Sequence, residues 1–255
     1  MRFSQGQARA GLAVLAVAVG VSVGAAQERS GPSKRQPNNF PEFNANGFAA
    51  TFSTQGFVDL TGEYFQAQGT NGRSCATCHI PQNAWSITPE TIRALFDQTG
   101  GTHPIFNALD ADNPNSDLSN VEARRAAYSL MLTRGVLRRG GALRADREWD
   151  VVAVDDPHNF ANANRIVQWR RVMPTINFHV GGATVAWDGG NTIGSDQLAG
   201  LINQATRNVT GAQQGQPAPP QVINEIVSFE TSLSTAQEFA SGAGVLRTGG
   251  ARGGA

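Results

Sequence analysis

The sequence predicts a mostly α fold with long loops and a short β-hairpin. Three observations predict it. Several segments carry apolar residues at helical spacing, with start or stop signals at their ends. The 29 glycines and 12 prolines in 255 residues interrupt the chain often enough to require long connections. Residues 150–155 (DVVAVD) are rich in β-branched side chains, as a short strand would be.

The elements follow in order. Residues 1–25 have the outline of a secretory signal peptide. Arg2 and Arg9 supply the positive start, and an uncharged run reaches Gly24. Val23-Gly24-Ala25 fits a cleavage site, so the mature chain is expected to begin near Ala26 or Gln27. The apolar run is shorter than the roughly 20 residues needed to span a bilayer. The expectation is therefore a periplasmic or secreted protein without a stable membrane anchor after cleavage. Residues 26–47 are polar and proline-containing, a lead-in with little helix. Residues 59–68 suit a short helix, broken at Gly69.

Thr88-Pro89-Glu90 is a helix start, with a Thr cap and Pro at the first position. Ile92, Leu95 and Phe96 give that helix one apolar face, and Gly100-Gly101 stops it. Residues 103–117 read as loop. Ser119-Asn120-Val121-Glu122 forms a capping box with Ser119 at the cap. Val121, Tyr128, Met131 and Leu132 then line a helix ending at Gly135. Ser195 caps a further helix, with Leu198, Leu201, Ile202, Ala205 and Val209 on one face and Gly211 at its end. After the break at residues 217–220, Val222, Ile226, Phe229 and Leu233 repeat at helical spacing. Residues 238–255 are rich in glycine, a tail or a linker to a missing second domain.

Composition excludes several functions. There are 20 Lys+Arg and 20 Asp+Glu, so the basic excess of a nucleic-acid binder is absent. Charged residues are 16%, too few for a charge-rich disordered chain. Lys34 is the only lysine, which argues against lysine catalysis. The two cysteines are three positions apart. That spacing excludes a disulfide framework and a four-cysteine zinc site.

Those cysteines form Cys75-Ala76-Thr77-Cys78-His79, the C-x-x-C-H attachment sequence for c-type haem. Two thiols reach the vinyl groups of one porphyrin edge, and the adjacent imidazole becomes the proximal iron ligand. Residues 48–237 are thus expected to form a cytochrome c-like domain with one covalent haem c. The rivals are a thioredoxin-like redox pair, a structural disulfide and half a zinc site. For the sixth iron position the candidates are His103, Met173, His158, His179 and Met131, with His103 and Met173 leading; an open or water-bound position is the other option. Arg165, Arg170 and Arg171 cluster with Trp169, and Arg165 or Arg171 could hold a haem propionate.

Three segments carry a wider resemblance: Asn71-Gly72-Arg73-Ser74 leading into the cysteine motif; Met173-Pro174-Thr175-Ile176-Asn177 followed by Trp187-Asp188-Gly189; and Gln204-Ala205. Together, over residues 48–237, they resemble the N-terminal haem half of bacterial di-haem cytochrome c peroxidases and the related MauG-like quinone-cofactor maturation enzymes. The resemblance implies a peroxide-reacting haem and a second haem domain. It makes Trp187 an electron relay between haems and places Gln204 near the distal face. This chain departs from the pattern in three ways. Gly190 stands where the family has arginine. Residues 211–214 (GAQQ) lack the family's catalytic carboxylate, and there is no second C-x-x-C-H. Proton transfer in peroxide chemistry needs an acid or base, so the chain alone is expected to be a weak peroxidase. The functional expectation is electron transfer with a redox partner protein, or service as the haem domain of a di-haem oxidoreductase. The alternative is a non-catalytic haem-binding or small-ligand-sensing domain.

Overall fold

The computed structural model describes residues 34–156, 159–180, 182 and 184–250. The expected signal peptide and His158 lie outside the described residues. The mostly α expectation is corrected: the fold is mixed, with 33% of the described residues helical and 22% in strands.

The strands form three antiparallel sheets. β1 (Arg35–Pro37) pairs with β4 (Phe57–Asp59). β2 (Phe40–Asn44), β3 (Gly47–Ser53), β7 (Leu233–Ala240) and β8 (Gly244–Val245) form a four-stranded sheet in that order. β5 (Val136–Ala142) and β6 (Arg165–Arg171) form a separate hairpin. The central pairing sets Ala50 opposite Ala236 and Thr51 opposite Thr235, with an irregularity between Phe48 and Ala49. Both the expected lead-in and the expected tail therefore contribute strands to the sheet. Leu233, expected to end the last helix, starts β7 instead.

The hairpin also differs from expectation. Residues 150–155 are not a strand; they lie in the long connection between β5 and β6, where Val152 is 98% exposed. β-Branched composition without a partner strand makes no ladder.

The helices follow the start signals closely. α1 (Pro89–Thr99) begins with Thr88 Oγ1 accepting from the Thr91 amide and ends at Gly100, whose φ of +60° suits glycine. The helix expected to run to Gly135 is split into α2 (Val121–Ala127) and α3 (Ser129–Arg134). Asp112 explains the break: its amide donates to the Ala127 carbonyl, and its carboxylate accepts from the Leu130 amide and the Ser129 hydroxyl. Asn120, not Ser119, caps α2, through a 2.9 Å bond from the Ala123 amide. Asp196, not Ser195, caps α4 (Gln197–Arg207). A π-helical turn, Asn208–Ala212, extends α4, and α5 (Pro220–Ser232) starts on its own proline. The short helix expected near residue 59 is a single 3-10 turn, Glu63–Phe65.

The buried side chains form two clusters. One surrounds Trp85 with Tyr64, Leu201, Ile226 and Phe229. The other surrounds Phe96 with Ile92, Ile105, Tyr128, Met131 and Leu137. Cys75 packs on the first cluster and Cys78 on the second, so the cysteine motif sits where the two cores meet. Among the described residues, no helix is long and apolar enough to cross a membrane.

Candidate functional site

The motif is a 3-10 turn, Cys75–Thr77. Thr77 Oγ1 accepts from the Ser74 amide at 2.9 Å, and the Cys78 and His79 amides both donate to the Cys75 carbonyl. One tight turn thus fixes both thiols and the imidazole. Asn71 ties the approach to this turn to the end of the π-helical turn through the Ala212 carbonyl, at 2.9 Å. Gly69 lies against the backbone of Gln213, where a side chain would not fit. That close approach brings Gln213 over the motif, its Nε2 4.0 Å from Cys75 Sγ.

His79 is held from behind. Its Nδ1 lies 3.0 Å from the Trp85 carbonyl. A carbonyl can only accept, so Nδ1 carries the proton and Nε2 keeps its lone pair, with the Met173 backbone also within reach of the ring. A ring fixed this way is the usual arrangement of a metal-ligating histidine. Burial pushes its pKa down to about 4, which keeps it neutral. The carbonyl reaches it because Ala84 and Trp85 both take left-handed backbone conformations, with φ of +53° and +58°. These fold residues 80–86 back on themselves, and the Trp85 amide donates to the Ile80 carbonyl at 2.9 Å. Burial also raises the pKa of both cysteine thiols. A reactive redox dithiol needs the opposite shift. Among the described residues, no three His, Cys, Asp or Glu side chains gather to hold a bare metal ion.

Cys75, Cys78 and His79 line one wall of an open cavity with about 1250 Å³ of empty space, its solvent mouth included. The other walls bring Arg171, Met173, Trp187 and Gln204 to the same cavity. Haem fits this donor set. Two neutral thiols share a turn with an imidazole held through Nδ1, and cationic side chains line the same cavity, as the carboxylate edge of a haem requires. The Arg171 guanidinium lines the cavity and makes no hydrogen bond or ion pair among the described residues.

The remaining candidates lie elsewhere. Arg165 is at the far end of β6, opposite Ala142. His103 is half-buried outside the cavity lining, its Nδ1 accepting from the Ile105 amide at 3.3 Å. His179 is near Ser234, and Met131 is buried in the second core. Met173, 37% exposed, is the one described sixth-ligand candidate that lines the cavity.

Trp187 is 63% exposed, and its Nε1 donates to the Arg171 carbonyl at 3.0 Å. It is a rim residue, not a core aromatic. The Trp-Asp-Gly turn is pinned by Asp188, which bonds Arg170 at 2.7 Å and the Gly190 amide at 3.0 Å. The Arg170 bond holds the Asp188 carboxyl down at about 2. Gln213 lines the cavity and Gln214 does not.

The sequence assigns no role to several lining residues: Arg73, Arg139, Gln213 and Glu230. Glu230 had a readable signal. It follows Ile226 by four positions and so falls on the apolar stripe of its helix. Arg73 is buried, and its guanidinium bonds Asp110 at 2.5 Å and the carbonyls of Pro104 and Ile105. No protein-family model, curated protein or solved structure matches the chain, so the chemistry of the site rests on its own geometry.

Proposed function

We propose that this chain is the haem domain of an exported c-type cytochrome that exchanges electrons with a redox partner protein. One observation carries the proposal: two thiols and an imidazole held through Nδ1 share a turn on one cavity. Bound haem would supply an iron that accepts and donates single electrons. Cys75 and Cys78 would hold its vinyl edge through thioethers, and His79 Nε2 would ligate the iron. Arg171 is the candidate partner for a propionate, because a buried or half-buried carboxylate needs a counter-charge. Met173 is the candidate for the sixth position. The neutral side chain of Gln213 lines the cavity, and residues 211–214 hold no carboxylate of the kind the resembling enzymes carry there.

The test is mass spectrometry of the full chain made with a c-type maturation system. The expected mass is the leader-free chain plus one haem, and the colour should stay with the protein in acidified organic solvent. Replacing both thiols, Cys75→Ser with Cys78→Ser, should make any haem fully extractable. Native protein without added mass, or with extractable haem, would overturn the proposal.

Trp187→Phe tests the route of the electron. The side chain is largely exposed, so the haem spectrum should be unchanged and the stability loss should stay within about 0.5 kcal/mol. Electron delivery, followed by stopped-flow reduction, should slow several-fold. An unchanged rate removes the relay role.

A further inference from the structure

Glu230 is out of pattern for its helix. α5 buries Ile223, Ile226 and Val227, and Glu230 shares that face at 1% exposure. It lines the cavity with Cys75 and Gln204. Its Oε2 is buried and makes no hydrogen bond, and the buried Oε1 of Gln204 is also without a donor.

The charged and titratable groups around Glu230 do not neutralise it. Tyr64 faces it from the Glu63–Phe65 turn, and Cys75 faces it from the motif turn. Neither carries positive charge. Cys78 and His79 complete the motif wall and are neutral. Of the cavity arginines, Arg73 and Arg139 pair with Asp110, and Arg170 pairs with Asp188. Arg171 lies on the β6 wall and makes no bond to Glu230. A buried ionised carboxylate without a partner costs several kcal/mol, and the neutral acid avoids most of that. Burial raises the pKa of Glu230 to about 8.

We propose that Glu230 is the proton-carrying group of the cavity, gaining a proton when the bound cofactor is reduced and losing it on oxidation. The inference rests on the haem reading above. One electron enters from the redox partner, and one proton enters the carboxylate from solvent; on oxidation both leave. The physical cause is that added negative charge nearby disfavours a second negative charge on the carboxylate.

The test is spectroelectrochemical titration of the full-length, haem-loaded protein across neutral pH. Proton uptake on reduction makes the midpoint potential fall as pH rises. The slope should approach about 59 mV per pH unit, the one-electron equivalent of a tenfold change in proton activity. Glu230→Gln should flatten it. A flat wild-type profile would overturn the proposal. So would a slope that survives in the variant, which would belong to propionates or another side chain. If the variant does not fold, the wild-type infrared difference spectrum between oxidised and reduced states decides. A buried carboxylic acid stretch that changes with redox state supports Glu230, and its absence overturns the role. A chain that takes up no haem defeats the proposed function as well, whereas a flat profile in the loaded protein defeats only the role of Glu230.

Discussion

Asp110→Asn should destabilise the protein by about 3–5 kcal/mol, the range for removing one partner from a buried charge pair. The Asp110 carboxylate is fully buried and meets two guanidiniums. Arg73, itself 3% exposed, pairs with it at 2.5 Å, and Arg139 pairs with it from β5. Asparagine keeps the shape and removes the charge, leaving the buried Arg73 cation with only neutral acceptors, the Pro104 and Ile105 carbonyls and the asparagine oxygen. The effect should reach the site, because Arg73 and Arg139 both line the cavity. Urea unfolding of the full chain should show a lower midpoint at unchanged slope. The exposed Glu90–Arg93 pair, 3.0 Å apart, is the control, and Arg93→Ala should cost less than about 1 kcal/mol. Equal losses in the two variants would show that the Asp110 pairs are effectively solvated.

Trp85→Ala should cost about 3–5 kcal/mol as a truncation of a packed core aromatic. The ring is 0% exposed. Its centroid lies 5.4 Å from that of Phe229 and 5.9 Å from that of Tyr64, both at steep angles. Its Nε1 donates to Thr51 Oγ1 at 2.9 Å, which ties the cluster to β3. The same residue's carbonyl anchors His79 and accepts the Thr175 amide at 3.3 Å. Loss of the ring should therefore loosen the imidazole too, read as a changed haem spectrum at temperatures where the variant is still folded. Trp85→Phe retains most of the packing and should retain the spectrum. A spectrum unchanged in Trp85→Ala would show that the backbone of residues 80–86 holds its form without the ring.

Local signals were legible. The Thr88-Pro89 start and Gly100 stop of α1 sit where the residues place them. The cysteine motif is a short stretch whose spacing carries its own chemistry, and Trp187, Gln204, Arg171 and Met173 do meet it at one cavity. The sheet was not legible, for a physical reason. Ala49, Ala50 and Thr51 are buried in succession on β3, so the alternation that marks a half-buried strand is missing. β7 (LSTAQEFA) has no β-branched run either. A polar lead-in and a glycine-rich tail read as loop when the partner strand is remote in sequence. The caps at Asn120 and Asp196 show a smaller failure, in which adjacent residues could each have capped and the side-chain geometry chose. Arg139 belongs to no local motif, because only the pairing of β5 with β6 brings it to the cavity.

The central sheet also sets a clock. The hydroxyls of Thr51 and Thr235 meet at 2.8 Å across 184 residues of sequence. At a synthesis rate of about 5–20 residues per second, the later strand arrives on the order of ten seconds or more after the earlier one. Pairings this remote are also slow to nucleate, since the intervening loop must close before they contribute. Through that delay the motif residues are already made, while α5 and Gln213, which lies 138 residues beyond Cys75, have yet to settle beside them. In the finished fold both thiols are only partly exposed and held neutral by burial, which slows any later reaction. If a cofactor is joined covalently as proposed, its attachment would be easiest before β7 docks.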